Sequence, residues 1–210
     1  MNKKVIFGLI ASVALMTSCN SCNKEQEVKQ DSVELKAAKL NASHVTATDR
    51  QYMFINYDGN YRWFEQCVLL KDFLDEDNDG TIEGISNVFQ VVEGDSTCYD
   101  VHVILMAHNV NGKDTVEVKH GFWVEDYPLN EEAIAITFEQ AYDLVMKVNF
   151  PKPHSRQCVL RKQVGPVDAN PQYIFGNNRA QLYVDAITGE VSDKNPAFEG
   201  YFGNPLGEWP

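Results

Sequence analysis

The stretch from Gln172 to Val191, QYIFGNNRAQLYVDAITGEV, constrains the fold most strongly, because its apolar and polar residues alternate. A period of two is typical of a half-buried β-strand. Asn177 and Asn178 interrupt the alternation, and Asn tolerates the positive φ that a two-residue hairpin turn requires. A turn at these two residues places Phe175 opposite Ala180. The predicted hairpin then has one apolar face, which consists of Tyr173, Phe175, Ala180, Leu182 and Val184.

The segments on both sides of this hairpin extend the prediction. A turn is expected at 185–189, because glycine at its end can adopt a backbone conformation that other residues resist. A helix is expected over 134–149, since Thr137 and Gln140 form a capping box and Pro151 ends the helical pattern. Its apolar stripe consists of Phe138, Ala141, Tyr142, Val145 and Met146. A strand over 156–164 leads from this helix to the hairpin.

This half of the chain resembles the PepSY-like modules of bacterial exported proteins. The matching pieces are the aromatic strand Tyr173–Phe175 and the closing run Leu182–Val191, LYVDAITGEV. The resemblance implies a cystatin-like unit, in which a helix packs on an antiparallel sheet. It also implies association with, or inhibition of, peptidases in the cell envelope. The expected partner is therefore an envelope peptidase or another protein or peptide ligand.

The first half of the chain shows a second helical pattern. Trp63, Cys67, Leu70 and Leu74 recur at helical spacing, which predicts a helix over 61–74. Upstream, the weak alternation of 51–57 predicts a short edge strand. Downstream, three strands are predicted, over 88–93, 97–109 and 114–125.

The last two of these strands are joined by Asn111-Gly112, the strongest short hairpin signal in the chain. Pairing around that turn places Leu105 opposite Val118, and His120 opposite Val103. The expected apolar face consists of Val101, Val103, Leu105, Ala107, Val116, Val118, Phe122 and Val124.

Both halves thus share one predicted order, a helix followed by three strands. The sequence predicts an α+β fold of two tandem cystatin-like or PepSY-like units, 46–127 and 128–194. In each unit a helix packs on an antiparallel sheet of three to four strands. The tail, 195–210, is rich in Gly, Pro and aromatic residues and is predicted to be neither helix nor strand.

The N-terminus has the features of a processed leader. Two lysines precede the apolar run Val5–Met16, which is too short to span a bilayer as a stable helix. Met16-Thr-Ser-Cys19 resembles the processing box of bacterial lipoproteins. The resemblance implies a signal peptide over 1–18, lipid on Cys19, a tether over 19–45 and an outer-membrane location, on the periplasmic face or the cell surface. An ordinary secretory signal with an incidental cysteine is the alternative.

The charge of the chain argues against nucleic acid as a partner. The chain has 18 basic and 30 acidic residues, and the leader removes only Lys3 and Lys4, which leaves a net charge of −14. Such a charge disfavours nucleic acid and anionic lipid headgroups and favours a solvated surface or a cationic partner. The cysteines at 22, 67, 98 and 158 have no metal-binding spacing in the folded part, so buried apolar residues, with one disulfide possible, are expected.

An acidic loop over Asp75–Ser86, DEDNDGTIEGIS, is the one candidate metal site. Its residues follow the first nine positions of an EF-hand loop, including the glycine at position 6. The predicted Ca²⁺ ligands are Asp75, Asp77, Asp79, Thr81 and Glu83. Position 12 is Ser86 rather than the bidentate Glu, so Ca²⁺ would bind weakly, and a solvated acidic turn is the alternative.

No arrangement typical of a catalytic site is recognisable in the sequence. The five histidines do not cluster, and no serine or cysteine nucleophile motif or Gly-rich phosphate loop is present. We therefore expect a non-enzymatic, lipid-anchored binding protein. The alternative is a calcium-binding structural or adhesion lipoprotein that uses the acidic loop.

Overall fold

A computed structural model describes residues 39–75, 77–92, 101–177 and 179–200. Within these ranges the helices are α1 (Ala42–Tyr57) and α2 (Phe138–Lys147), with 3₁₀ turns at Glu131–Ala133 and Pro196–Phe198. The strands are β1 (Tyr61–Leu70), β2 (Ile82–Val92), β3 (Val101–Asn109), β4 (Thr115–His120), β5 (Asp126–Tyr127), β6 (Gln157–Gln163), β7 (Gln172–Asn177), β8 (Ala180–Asp185) and β9 (Val191–Ser192).

These strands form one antiparallel sheet in the order β4-β3-β2-β1-β6-β7-β8-β9, with β5 paired beside β6. The predicted α+β class is confirmed. The two halves of the chain meet where β1 pairs with β6, with Cys67 opposite Val159. Each half contributes one helix, and the strands of both halves join in a continuous sheet.

Both helices pack on the same face of this sheet. A single cluster of buried apolar side chains contains Met53 of α1, Phe89 of β2, Val145 of α2 and Phe175 of β7. The stacked rings of Phe138 and Phe175, 6.1 Å apart at their centroids, attach α2 to the sheet. The helices also meet directly. The Glu139 carboxylate accepts hydrogen bonds from the Asn41 side chain, the Ala42 backbone N–H and the Ser43 hydroxyl at the start of α1.

The second half follows its sequence prediction closely. Helix α2 begins with the predicted capping box of Thr137 and Gln140, and β6, β7 and β8 lie where strands were expected. The β7–β8 register differs by two residues: Phe175 lies opposite Leu182, not Ala180. Asn177 is part of β7 and pairs with Ala180, so the chain does not turn at Asn177 as predicted. Asn178 lies outside the described residues. A shift of two leaves each side chain on its predicted face, so the apolar face is correct.

The helix predicted over 61–74 is wrong, because 61–70 form strand β1. The true helix of this half, α1, covers the predicted edge strand 51–57 and takes in residues 42–45 of the predicted tether. The buried positions of α1 have helical spacing, but Thr46 and Asp49 occupy two of them. An apolar pattern could not reveal this helix, since polar residues hold half of its buried stripe.

The predicted β3–β4 pairing is also wrong, by one residue. Leu105 lies opposite Glu117 instead of Val118, and His120 lies opposite His102 instead of Val103. A slip of one residue moves every side chain of a strand to the other face. The slip arises because the loop is longer than two residues. Within it the Asn109 side-chain amide donates to the Lys113 carbonyl, and the Asn109 side-chain oxygen accepts from the Asn111 N–H.

The predicted leader, Cys19, Cys22 and the tether before residue 39 lie outside the described residues, as do Cys98 and 201–210 of the tail. Cys67 and Cys158 are free thiols on adjacent strands, and burial raises the pKa of both. Among the described residues no helix is both long and apolar enough to cross a membrane.

Candidate functional site

A cluster of buried polar side chains lies between α1 and the sheet. We call it the α1 polar cluster; it consists of Thr46, Asp49, Gln66, Asn87 and His108. Asn87, fully buried on β2, donates to the Asp49 carboxylate at 2.8 Å, while its carbonyl accepts from the Thr46 hydroxyl at 3.1 Å. Gln66 donates to the Thr46 hydroxyl at 2.5 Å. Since buried polar groups are costly unless they are bonded, this network fixes α1 on β1 and β2.

His108 connects the α1 polar cluster to the surface. Its Nε2 lies 2.7 Å from the buried Asp49 carboxylate, and its Nδ1 lies 3.2 Å from the exposed Asp114 carboxylate. A neutral imidazole has one N–H, so hydrogen bonds from His108 to both carboxylates at once require an imidazolium or a protonated carboxyl group. Burial raises the pKa of Asp49, while Asn87 and His108 oppose that rise. Asp49, His108 and Asp114 are therefore placed so that they can share one proton.

Strand β4, beside this cluster, is an edge of the sheet, with no further strand paired to it among the described residues. It stands at the end of the strand order, and all six of its residues are exposed. Val116 and Val118 are 51% and 53% exposed, although both point to the helix-bearing face. Glu117 and Lys119 point to the other face and lie 3.4 Å apart. Sheet edges are commonly blocked by proline, by bulges or by charged side chains. Of these devices β4 has only the charged side chains of Glu117 and Lys119.

The direction of the free backbone groups on β4 follows from its pairing. The Gly121 N–H donates to the Val101 carbonyl, so Val101 and Gly121 are a hydrogen-bonded pair. Because such pairs alternate along an antiparallel ladder, Thr115, Glu117 and Lys119 bond to β3. The N–H and C=O groups of Val116, Val118 and His120 therefore point away from the sheet, where another strand could pair with them.

The predicted calcium ligands are divided between a turn and the start of a strand. Asp75, Asp77 and Asp79 sit on one exposed turn, in which Asp75 and Asp79 each accept a backbone N–H from two residues further along. Glu83 belongs to β2 and forms an ion pair with Arg156. Ser86 is also in β2, opposite Cys67. The segment before the loop is β1, not the helix that an EF-hand needs. Thr81 lies between the turn and β2, and its N–H bonds to Asp79.

Two acidic residues lie together on the sheet face opposite the helices, Glu65 on β1 and Asp126 on β5. Burial and the neighbouring charge of Asp126 raise the pKa of Glu65 to about 7, and Arg161 opposes that rise. Burial also raises the pKa of Asp126, whose nearer oxygen lies 3.8 Å from the Arg161 guanidinium. Arg161 and Trp123 oppose that rise in the pKa of Asp126. A shallow groove of about 420 Å³ runs from Arg161 to Arg179 on this face.

The α1 polar cluster was not predicted from the sequence. The positions of Thr46 and Asp49 could have indicated the cluster. They are three residues apart and fall on the same helix face as Ala42 and Met53. Such a stripe fits a helix whose buried face is partly polar. Its partners on β2 and β3 could not be identified, because they depend on strand pairing that a one-residue error reverses.

Comparison with known proteins adds little to this geometry. No family model matches the chain, and no curated protein matches it. A crystal structure titled a "putative lipoprotein" from Clostridium difficile matches with 15% sequence identity. The match covers 70% of this chain and 89% of that chain, with a TM-score of 0.39. At that TM-score the match decides neither fold nor function.

Proposed function

We propose that this chain is a non-enzymatic binding protein of the bacterial envelope, anchored by lipid on Cys19, that takes up an extended polypeptide along β4. The observation that carries the proposal is the open edge of β4, with its outward backbone groups and half-exposed valines. An extended segment added to such an edge gains main-chain hydrogen bonds, and alternate side chains provide specificity. The anchor rests on the processing-box resemblance of Met16-Thr-Ser-Cys19.

The chemistry around β4 defines the segment that would fit. Val116 and Val118 favour apolar residues at alternate positions of the partner. The acidic balance of the whole chain favours basic residues between them. The PepSY resemblance favours an envelope peptidase as the protein that supplies the segment. We place the complex at the outer membrane, on its periplasmic face or on the cell surface.

A peptide of alternating valine and lysine tests the edge directly. We expect the full chain in detergent to bind it, and the amides of Val116, Val118 and His120 to become protected from hydrogen exchange. Val118→Pro should weaken binding about fivefold, since it removes one outward donor worth about 1 kcal/mol. The substitution spares the β3–β4 ladder, because the Val118 N–H does not bond to β3.

Val118→Thr is the matched control, because it keeps the backbone donor and the branched shape, and it should bind within about threefold of the native chain. Equal binding by the proline and threonine variants would contradict pairing through this edge. Protection of the same three amides without peptide, together with a dimeric mass, would assign the edge to a second copy of the chain.

A second candidate, a calcium-binding structural or adhesion lipoprotein, is favoured by the exposed turn at Asp75–Asp79. Gly80 in that turn has φ of +71°, as the sixth position of a calcium loop needs. At 10 mM Ca²⁺ a site with Kd near 1 mM would stabilise the fold by about 1.4 kcal/mol and raise Tm by roughly 3–6 °C.

Asp77→Ala combined with Asp79→Ala should abolish that rise in Tm, and Asp72→Ala, an exposed acid just before the turn, should preserve it. Thermal denaturation with and without Ca²⁺ provides the measurement. An unchanged Tm in the native chain would leave the loop as a turn only.

A further inference from the structure

Two histidines face each other across the outer strands of the sheet. His102 on β3 lies directly opposite His120 on β4, and the ring centroids are 4.5 Å apart. Because Val101 and Gly121 form a hydrogen-bonded pair, the next pair along, His102 and His120, is a non-hydrogen-bonded one. Side chains at such positions stand closest together in an antiparallel sheet. Strand pairing itself therefore holds the two imidazoles side by side.

Neither imidazole has the carboxylate contacts that His108 has. Among the described residues His102 and His120 form no ion pair, and the Nδ1 atom of His102 is buried with no hydrogen-bond partner. An unpartnered buried nitrogen is uncommon and calls for an explanation. His120 is exposed on the edge strand, so the pair is open to solvent on one side.

The separation of the two rings fits shared coordination. Two imidazole nitrogens bound to one cation at about 2.0–2.1 Å place their ring centroids roughly 4.5–5 Å apart. We propose that His102 and His120 bind one late first-row divalent cation, Cu²⁺, Ni²⁺ or Zn²⁺, with water at its remaining positions. No third His, Cys, Asp or Glu completes a site in the described part of the chain, so the coordination stays open.

The chemistry of the ligands sets the selectivity of this site. Imidazole nitrogen suits copper, nickel and zinc, with Cu²⁺ the tightest of the three in the usual order. Ca²⁺ and Mg²⁺ prefer oxygen ligands and are not expected to compete. The site shares His120 with the peptide edge but uses its side chain, whereas the edge uses its backbone groups. The metal site can therefore be tested with neither peptide nor calcium present.

Calorimetric titration of the full chain with NiCl₂ tests the proposal. We expect His120→Phe, which keeps an aromatic ring at the exposed position, to bind Ni²⁺ at least tenfold more weakly at this site. His44→Phe makes the same change at an exposed histidine of α1 and should leave binding unchanged. Any binding by the cysteines is common to both variants and cancels in the comparison.

Paramagnetic broadening by Ni²⁺ locates the site independently. Amide signals around His102 and His120 should broaden first in the native chain, and this broadening should be absent in His120→Ala. His120→Phe that binds Ni²⁺ like the native chain would overturn the proposal. An equal loss of binding in His44→Phe, or broadening away from the β3–β4 pair, would overturn it as well.

Discussion

Phe89→Ala is expected to lower the free energy of unfolding by about 3–5 kcal/mol, the range typical of a fully buried phenylalanine. Phe89 has no exposed surface and lies edge-on to the ring of Tyr61, 5.6 Å away. Phe175→Ala should have an effect of the same size from the second half of the chain. Because both rings belong to one apolar cluster, either variant should shift a single transition that involves both halves.

Urea denaturation in a Trp209→Phe background distinguishes one core from two independent units. The remaining tryptophans, Trp63 and Trp123, both belong to the first half. Phe175→Ala should still move the fluorescence midpoint, and the circular dichroism midpoint should coincide with it. Phe54→Ala, at an exposed ring of α1, is the control and should change the unfolding free energy by less than about 0.5 kcal/mol. A fluorescence transition insensitive to Phe175→Ala would show that the halves unfold separately.

Glu65→Gln is expected to reduce the loss of stability that the native chain suffers as pH rises from about 4.5 to about 7. The folded pKa of Glu65, about 7, is above its ordinary value of 4.5. The folded state therefore retains a proton that the unfolded chain releases in this interval, so stability is full below pH 4.5 and falls as pH rises through 7. At pH 8 the variant should be more stable by about 1–3 kcal/mol, since each pKa unit corresponds to about 1.4 kcal/mol and Glu65 is only partly buried.

Urea midpoints between pH 4 and pH 8 provide the measurement. Part of the pH dependence should remain, because burial also raises the pKa values of Asp49 and Asp126. Glu117→Gln removes an exposed glutamate from β4 and should leave the slope of the native chain intact. Identical slopes for Glu65→Gln and the native chain would contradict the raised pKa.

The success of the sequence prediction followed the strength of local signals. The capping box at Thr137 and Gln140 and the alternation of β7 and β8 are both local, and the structure confirms each. The helix predicted over 61–74 failed because β1 carries apolar residues on both of its faces, so some of them also recur at helical spacing. Residues 42–57 were missed because Thr46 and Asp49 face the sheet and bond to partners distant in sequence.

The candidate sites depended on register, which local signals did not determine. A two-residue turn at Asn111-Gly112 predicted His120 opposite Val103, and the longer loop brings it to His102 instead. The calcium ligands remain a prediction, and the structure adds that Glu83 is already paired with Arg156. Contacts such as His108 with Asp49 join residues 59 positions apart, and no pattern within either segment indicates the other.

The carboxylate of Glu139 has a consequence for how the molecule bears mechanical load. It accepts hydrogen bonds from three successive residues, Asn41, Ala42 and Ser43, at the start of α1. Tension applied upstream of residue 41 would be borne first by this junction between the helices. Because Asp49 of α1 contacts His108 of β3, tension that passes this junction would next reach the strand that pairs with β4.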